Sequence, residues 1–465
     1  MTDGQRQMHL GAFFMPTGHH VTSWRHPEAQ ADAGVNFAHY IDIARTAERG
    51  KFDMIFLADS VTMRSGHMDA LSRSAQYIAN FEPLTLLAAL ASVTERIGLV
   101  ATATTSYNEP YHIARKFASL DFISSGRAGW NIVTSARDNE AFNFGREAHY
   151  PHEERYERAR EFTNVVLGLW ESWDDDAFIR NKESGLFFDP EKVHVLDHKG
   201  PYFSVRGPLN VPRTPQGHPV LVQAGSSETG RDFAAEFGEV IFTAHLTFDD
   251  AQKFYADLKG RVASRGRNPD HVKILPGLSF IVAPTEAEAQ AKFEHLQSLI
   301  HPMVARELVS MTLGGVDLSD YPMDGPLPDL SETNASQSTF DSVMRLARRE
   351  QLTIRQLGMR LAAGRQRLHV NGTPEQIADL MEQWFKDGAA DGFNILPPYL
   401  PGALNDFVDL VIPELQRRGL FRTEYEGRTL RENLGLPRPE GPYARTHETF
   451  EPGTTSGRDE IKPSP

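Results

Sequence analysis

The chain has 465 residues, 40% hydrophobic and 24% charged, close to the globular average, so it has material for a core and gives no case for global disorder. Lys plus Arg number 48 against 62 for Asp plus Glu, a net charge of −14 that opposes non-specific attraction to nucleic acid or to an anionic membrane. The absence of cysteine excludes disulfides, thiolate zinc sites, cysteine nucleophiles and cysteine-held iron–sulfur clusters together.

The first ten residues carry no apolar signal core, and the longest apolar run, near 84–93, is far short of the ~20 residues needed to cross a bilayer. A soluble, cytoplasmic protein with neither nucleic acid nor membrane as partner is expected. Short apolar runs at 9–14, 53–58, 97–102, 128–134, 220–224, 240–244, 273–282 and 392–396 read as strands. Helical segments follow them at 37–49, 83–94, 111–122, 153–173, 227–237, 249–263 and 403–417, with two more at 286–299 and 374–386. Runs such as Met54-Ile55-Phe56-Leu57-Ala58 are apolar at every position, as parallel strands covered on both faces must be.

An open doubly wound sheet would give the same alternation. However, neither G-x-G-x-x-G after the first strand nor G-x-x-x-x-G-K-[ST] occurs, which favours an α/β fold of the (β/α)8 TIM-barrel type. The expected barrel occupies 1–435, with a ribbon insertion at 174–217 after strand four and a lid insertion at 301–367 after strand seven. The ribbon should pair 193–195 with 202–205, the lid should hold a helical part at 340–362, and 436–465 should form a loose or partner-wrapped tail.

In such barrels the chemistry sits at the C-terminal ends of the strands. Those positions hold Met15, Gly18, His19 and His20; Asp59 and Ser60; Thr104, Thr105, Ser106 and Tyr107; Ser135, with Asn131 inside its run; and the turn from Gly225 to Gly230. Hydroxyls and amides outnumber acid–base pairs. The turn with Ser226 and Ser227 joins a strand end to a helix start, where free N–H groups and the dipole attract an anion such as phosphate, although Ser227 has the ordinary task of N-cap as well. Asp59 is expected at the barrel mouth or as a loop cap. Tyr156, one helical turn after His152, lies on a face that also reads as core. His149, His152 and Glu153 cluster in sequence, yet no H-E-x-x-H helix or G-x-S-x-G elbow is present, so no metal is assigned and a metal-dependent TIM-barrel hydrolase remains the alternative.

Several blocks together resemble the flavin-dependent, bacterial-luciferase-like monooxygenases, in the branch with nitrilotriacetate and dibenzothiophene sulfone monooxygenases. They are His9-Leu10-Gly11-Ala12-Phe13, Phe52 through Asp59, ATATTSYNEPYHIARKFASLD at 101–121, Ser125 through Ser135, His152 through Tyr156, Pro219 through Arg231, and Gly392 through Pro397. The resemblance implies a barrel that binds reduced FMN at its open end, uses O2 as co-substrate, and receives the FMN from a separate NAD(P)H-dependent flavin reductase. Carried over by position, its flavin contacts fall on Asp59, Thr104 or Thr105, Asn131, His152, Tyr156, Ser226 and Ser227. Relatives often read Ser-Thr-Thr where this chain has Thr104-Thr105-Ser106, so which hydroxyl touches the flavin stays open.

His19 and His20 are the candidates for contact with the activated oxygen or the substrate. A homo-oligomer, dimer or tetramer, is expected, and a non-catalytic flavin-binding protein is a further alternative. The substrate is a small organosulfur, aromatic or aminopolycarboxylate compound. Phe13, Met15 and Phe56 near two strand ends tilt that expectation to an apolar molecule, against His19, His20, Arg25 and Arg64, which would suit carboxylates.

Overall fold

The chain is described from a computed structural model covering residues 6–135, 137–328, 337–364 and 368–441. Its strands are β1 (His9–Phe14), β2 (Met54–Leu57), β3 (Gly98–Thr104), β4 (Ala128–Val133), β5 (His198–Lys199), β6 (Ser204–Val205), β7 (Val220–Gln223), β8 (Val240–Thr243), β9 (Lys273–Val282), β10 (Leu368–Gly372) and β11 (Gly392–Leu396). Pairing runs in parallel through β1, β2, β3, β4, β7, β8, β9 and β11, and β11 returns to β1, which closes the barrel. The open-sheet alternative is thereby excluded, and all eight predicted runs become barrel strands.

The sequence forms this barrel because each strand buries both of its faces, as in β3, where all seven residues are buried. Outward residues such as Leu10, Ile55, Leu99 and Trp130 pack under the helices, while Phe13, Met54, Phe56, Val100 and Leu275 fill the interior. The Phe13 and Phe56 rings meet edge to face at 4.8 Å between centroids. Leu430 and Leu434, on and just after the short helix Leu430–Asn433, join that interior cluster, and a Cβ on Gly98 would stand 2.4 Å from Leu430. The N-terminal end of the barrel is thus filled, which leaves the C-terminal end as the open one among the described residues.

Several expectations change in detail. β10 pairs with β9 outside the barrel; its run, Leu-His-Val-Asn-Gly, is too polar to stand out, and the ten-residue β9 offers the extra edge. The expected helix at 403–417 is broken by a π turn, Phe407–Val411, just ahead of Pro413, which has no N–H to give to the residue four before it. The ribbon is shorter than expected: His198 pairs with Val205 and Lys199 with Ser204, while Val193 bridges to Trp173.

The segment after β9 forms the helices Pro302–Thr312, Gln337–Arg349 and Ile354–Gly364, two where one helical part at 340–362 was expected. They share a small core of Val309, Leu313, Phe340, Val343 and Leu357. The first residues of the expected tail are held down, with Arg438 on Asp175 and Arg213 donating to the Pro439 carbonyl; positions 442–465 lie outside the described residues. No described helix is long and apolar enough to cross a membrane.

Candidate active site

Over the C-terminal ends of β2, β3, β4 and β7 lies a cleft of about 920 Å³, measured out to its open mouth. Asp59, Ser60, Thr102, Thr104, Ser135, Tyr156, Gln223 and Gly225 line it, with Tyr77, Arg137 and Glu140 on one side and Phe233 on the other. Of the residues expected from sequence, the structure therefore brings Asp59, Thr104 and Tyr156 into one cavity, beside the turn that carries Ser226 and Ser227.

The adjacent threonines divide. The Thr104 hydroxyl accepts from the Ser106 N–H at 3.1 Å and lies 2.9 Å from the Ser135 hydroxyl. Thr105 is buried and donates to the Val133 carbonyl at 3.2 Å, so its oxygen is spent on β4. Beneath them Asn131 donates to Thr102 at 2.8 Å, and Thr102 donates to the Leu57 carbonyl at 2.8 Å. The Asn131 Oδ1 and the Gln223 Oε1 are buried and have no hydrogen-bond partner among the described residues. Each such acceptor costs about 1–3 kcal/mol unless something donates to it.

Asp59 follows the all-apolar β2 and is half-buried. Burial pushes its carboxyl above the usual value, the nearby Glu82 and Glu140 add to the rise, and the Ser60 N–H opposes it. Glu140 is buried and accepts from the Ser60 hydroxyl at 3.0 Å. Arg137 reaches the same hydroxyl at 3.4 Å.

At the far side Ser227 caps the helix Glu228–Phe237 by accepting from the Gly230 N–H at 3.1 Å, and Ser226 and Ser227 are both exposed. The turn is tight: a Cβ on Gly225 would meet the Gly230 Cα at 2.9 Å, which is why only glycine fits. The first-turn N–H groups face outward from the helix start, as an anion site requires.

Tyr156 bridges from this side to the helix His152–Trp170; its ring lies 6.1 Å from Phe233 and 5.1 Å from His152, which is exposed at the helix start. His19 and His20 are buried beyond the lining. His19 Nε2 is 2.9 Å from the Phe13 carbonyl and His20 Nδ1 is 2.8 Å from the Thr22 hydroxyl, while their backbone N–H groups bond to the carbonyls of Pro397 and Pro398. His149 Nδ1 meets the Tyr107 hydroxyl at 2.5 Å, and no group of three metal-ligating side chains occurs among the described residues.

Sequence reasoning missed Gln223, Tyr77, Arg137 and Glu140. Gln223 was visible as the one polar residue within its strand run, whereas Tyr77 and Arg137 sit in loops and Glu140 in the short helix Asp138–Phe142, where no periodicity marks them. The residues that favoured an apolar pocket are displaced from it: Phe13, Met15 and Phe56 fill the barrel interior. Arg25, on the opposing side of that argument, donates to the Leu299 carbonyl away from the cleft.

Comparison with known proteins follows the same line. The family described as luciferase-like monooxygenase matches residues 15–391. N-acetyl-S-(2-succino)cysteine monooxygenase of Bacillus subtilis (strain 168) is 54% identical over 96% of this chain and 100% of its own length. Nitrilotriacetate monooxygenase component A of Aminobacter aminovorans is also 54% identical, over 95% of this chain and 99% of its own. The crystal structure of DmoA from Hyphomicrobium sulfonivorans superposes with a TM-score of 0.86 at 31% identity, covering 96% of this chain and 99% of that one. With the barrel, the cleft and full-length likeness in agreement, the chain belongs to the luciferase-like monooxygenase family.

Proposed function

We propose that this chain is the oxygenase of a two-component system, which takes reduced FMN from a separate NAD(P)H-dependent flavin reductase and places one oxygen atom of O2 on a small organic substrate. The observation that carries the reading is the orphaned amide oxygen of Gln223 (Oε1) on the cleft lining, together with that of Asn131 (Oδ1) behind the lining residue Thr102; among the described residues both lack a donor. A reduced isoalloxazine carries ring N–H groups that suit such acceptors, so the residues present fit this cofactor. The likeness to a protein named component A supports the need for a partner that supplies the flavin.

When bound, reduced FMN supplies the electrons that activate O2, so that one oxygen atom reaches the substrate and the other leaves as water. The protein's part is to bind, orient and keep dry. The outward N–H groups of the helix start and the Ser226 hydroxyl hold the phosphate. Thr104, Asn131 and Gln223 fix the ring through hydrogen bonds, with Asp59 at the rim and Tyr156 and His152 closing the phosphate side. His19 and His20 keep the loop after β1 seated against the residues after β11 and bound the substrate space from behind. The helices of 302–364 would cover the mouth and limit entry of water.

The test is reconstitution. Purified protein with NADH, FMN, O2 and a thioether or nitrilotriacetate should form no product until a flavin reductase is added, and then form it in step with O2 use. Rapid NADH oxidation by the chain alone would contradict the two-component reading. Tight flavin binding without turnover of any substrate would favour a binding protein.

A further inference from the structure

A chain of three polar groups at the floor of the cleft has a fixed direction. The Leu57 carbonyl can only accept, so the Thr102 hydroxyl, 2.8 Å away, spends its single hydrogen there. Thr102 is then left to accept from Asn131, and the Asn131 atom 2.8 Å from it has to be the nitrogen Nδ2. The two ends of an amide are alike in shape, and here the partners decide which is which: the oxygen Oδ1 is the end left over.

That oxygen is buried and has no hydrogen-bond partner among the described residues. In the strand register Asn131 stands opposite Thr102 on β3 and Val222 on β7. Val222, and Val100 two residues before Thr102, belong to the barrel interior, so by alternation Thr102 and Asn131 point inward as well. The interior cluster at this level, with Phe56, Val100 and Val222, offers no donor. A donor for Oδ1 has to arrive from the cleft, which Thr102 lines.

Gln223 Oε1, on the same cleft, is a second buried acceptor that lacks a donor. An oxidised isoalloxazine carries one ring N–H, at N3; reduction adds an N–H at N5, and another at N1 in the neutral form. Two waiting acceptors exceed what the oxidised ring can serve. The N3 edge also suits Asn131 poorly, because the carbonyls on either side of N3 each want a donor and Thr102 has no hydrogen left to give.

We propose that Thr102 is a positioning residue that fixes the Asn131 amide with its oxygen free for the ligand, and that this pair makes the site select reduced over oxidised FMN. The inference rests on the reading of the cleft as the FMN site of an oxygenase. If Thr102 could donate to Asn131, the amide could turn and offer its N–H to the bare N5 of the oxidised ring; the Leu57 carbonyl prevents that by claiming the hydroxyl hydrogen. The spent cofactor is thereby released, and the site is left open to the next reduced one.

The experiment is anaerobic calorimetric titration with dithionite-reduced FMN, titration with oxidised FMN, and measurement of the midpoint potential of the bound flavin. Wild type should hold the reduced form at least about tenfold more tightly, which by linkage raises the bound potential above that of free FMN by about 30 mV for each factor of ten. Thr102→Val keeps the shape and leaves the Leu57 carbonyl without its donor, a stability loss that bears equally on both redox states, so the ratio of affinities is the readout. That ratio should fall about tenfold and the bound potential by about 30 mV, and Thr102→Ser should restore both. Equal affinity of wild type for the two forms, an equal loss for both in Thr102→Val, or no recovery in Thr102→Ser would overturn the proposal, and the wild-type ratio decides even if the valine variant folds poorly. A preference governed by Thr102 in a protein that oxygenates nothing with a reductase present would uphold the inference and sink the oxygenase reading. Reductase-dependent turnover with equal affinity for both redox states would do the reverse, and no binding of either form would sink both.

Discussion

The Thr104 hydroxyl stands 2.9 Å from the Ser135 hydroxyl, tying the C-terminal end of β3 to the residue that leaves β4. Thr105, one position on, bonds instead to the Val133 carbonyl. The two threonines should respond differently to the same change. Thr104→Val removes a hydroxyl from the cleft together with its bonds to Ser106 and Ser135, and is expected to weaken reduced-FMN binding or turnover about tenfold and to lower stability by about 1 kcal/mol. Thr105→Val should leave flavin affinity intact and lower unfolding stability by about 1 kcal/mol, the worth of one buried hydrogen bond. Flavin titration and thermal melts of both variants check the assignment; a flavin defect confined to Thr105→Val would reverse it.

Ser227→Asp gives a cleaner probe of the phosphate turn than an alanine would. Aspartate caps a helix as well as serine does, so the bond to the Gly230 N–H and the helix itself should persist. What changes is a negative charge beside the outward N–H groups. Reduced FMN is expected to bind about ten- to a hundredfold more weakly, a cost of about 1–3 kcal/mol, and added salt should narrow the gap by screening. Unaltered affinity with an intact circular-dichroism spectrum would remove this turn from the site.

The barrel was legible because parallel strands must be apolar on both sides, a pattern that local reading detects at Met54 to Leu57 as well as at Ala128 to Val133. Strand ends then pointed to Asp59 and Thr104, since the end of a strand is a local property. Arg64, Tyr77 and Arg137 were not legible as a group. Arg64 and Tyr77 follow β2 and Arg137 follows β4, so they meet only because the barrel brings the ends of those strands together. Phe13 and Phe56 misled for the converse reason: near a strand end, one residue of register decides between the interior and the mouth, and sequence cannot tell how deep the filling reaches.

At the opposite end of the barrel, Asp53 is fully buried and joins Arg422 at 2.5 Å, His9 Nδ1 at 3.1 Å and the Leu10 N–H at 2.7 Å. Burial pushes its carboxyl up, but Arg422, His9 and the Leu10 N–H together hold it below the usual 3.8. With the folded value depressed, this carboxylate stabilises the fold above the unfolded value and that contribution is lost as pH falls through the folded one. Arg422→Met strands the buried charge and should cost about 3–5 kcal/mol at pH 7. Because the site is at the other end, the remaining folded protein should keep its KM values. A KM change with unchanged stability in denaturant melts would contradict this division of labour.

Asp59 should behave in the opposite sense. Burial first, then Glu82 and Glu140, raise its carboxyl above 3.8 against the pull of the Ser60 N–H. A raised value means that the folded state binds the proton more tightly than the unfolded one, so the stabilising contribution of the protonated form is present below the unfolded value and disappears as pH rises through the folded value. At neutral pH the charged Asp59 therefore opposes folding, a strain kept where a ligand is to be met. Asn resembles the protonated acid in shape and carries no charge. Asp59→Asn is expected to melt at a higher temperature than wild type at pH 8, with the gap closing as pH falls through the raised folded value toward 3.8, while its flavin affinity or turnover falls if the carboxylate serves the site. A melting difference that stays constant with pH would show that the charge is not what strains this position, and higher stability with full activity would take Asp59 out of the cofactor contacts.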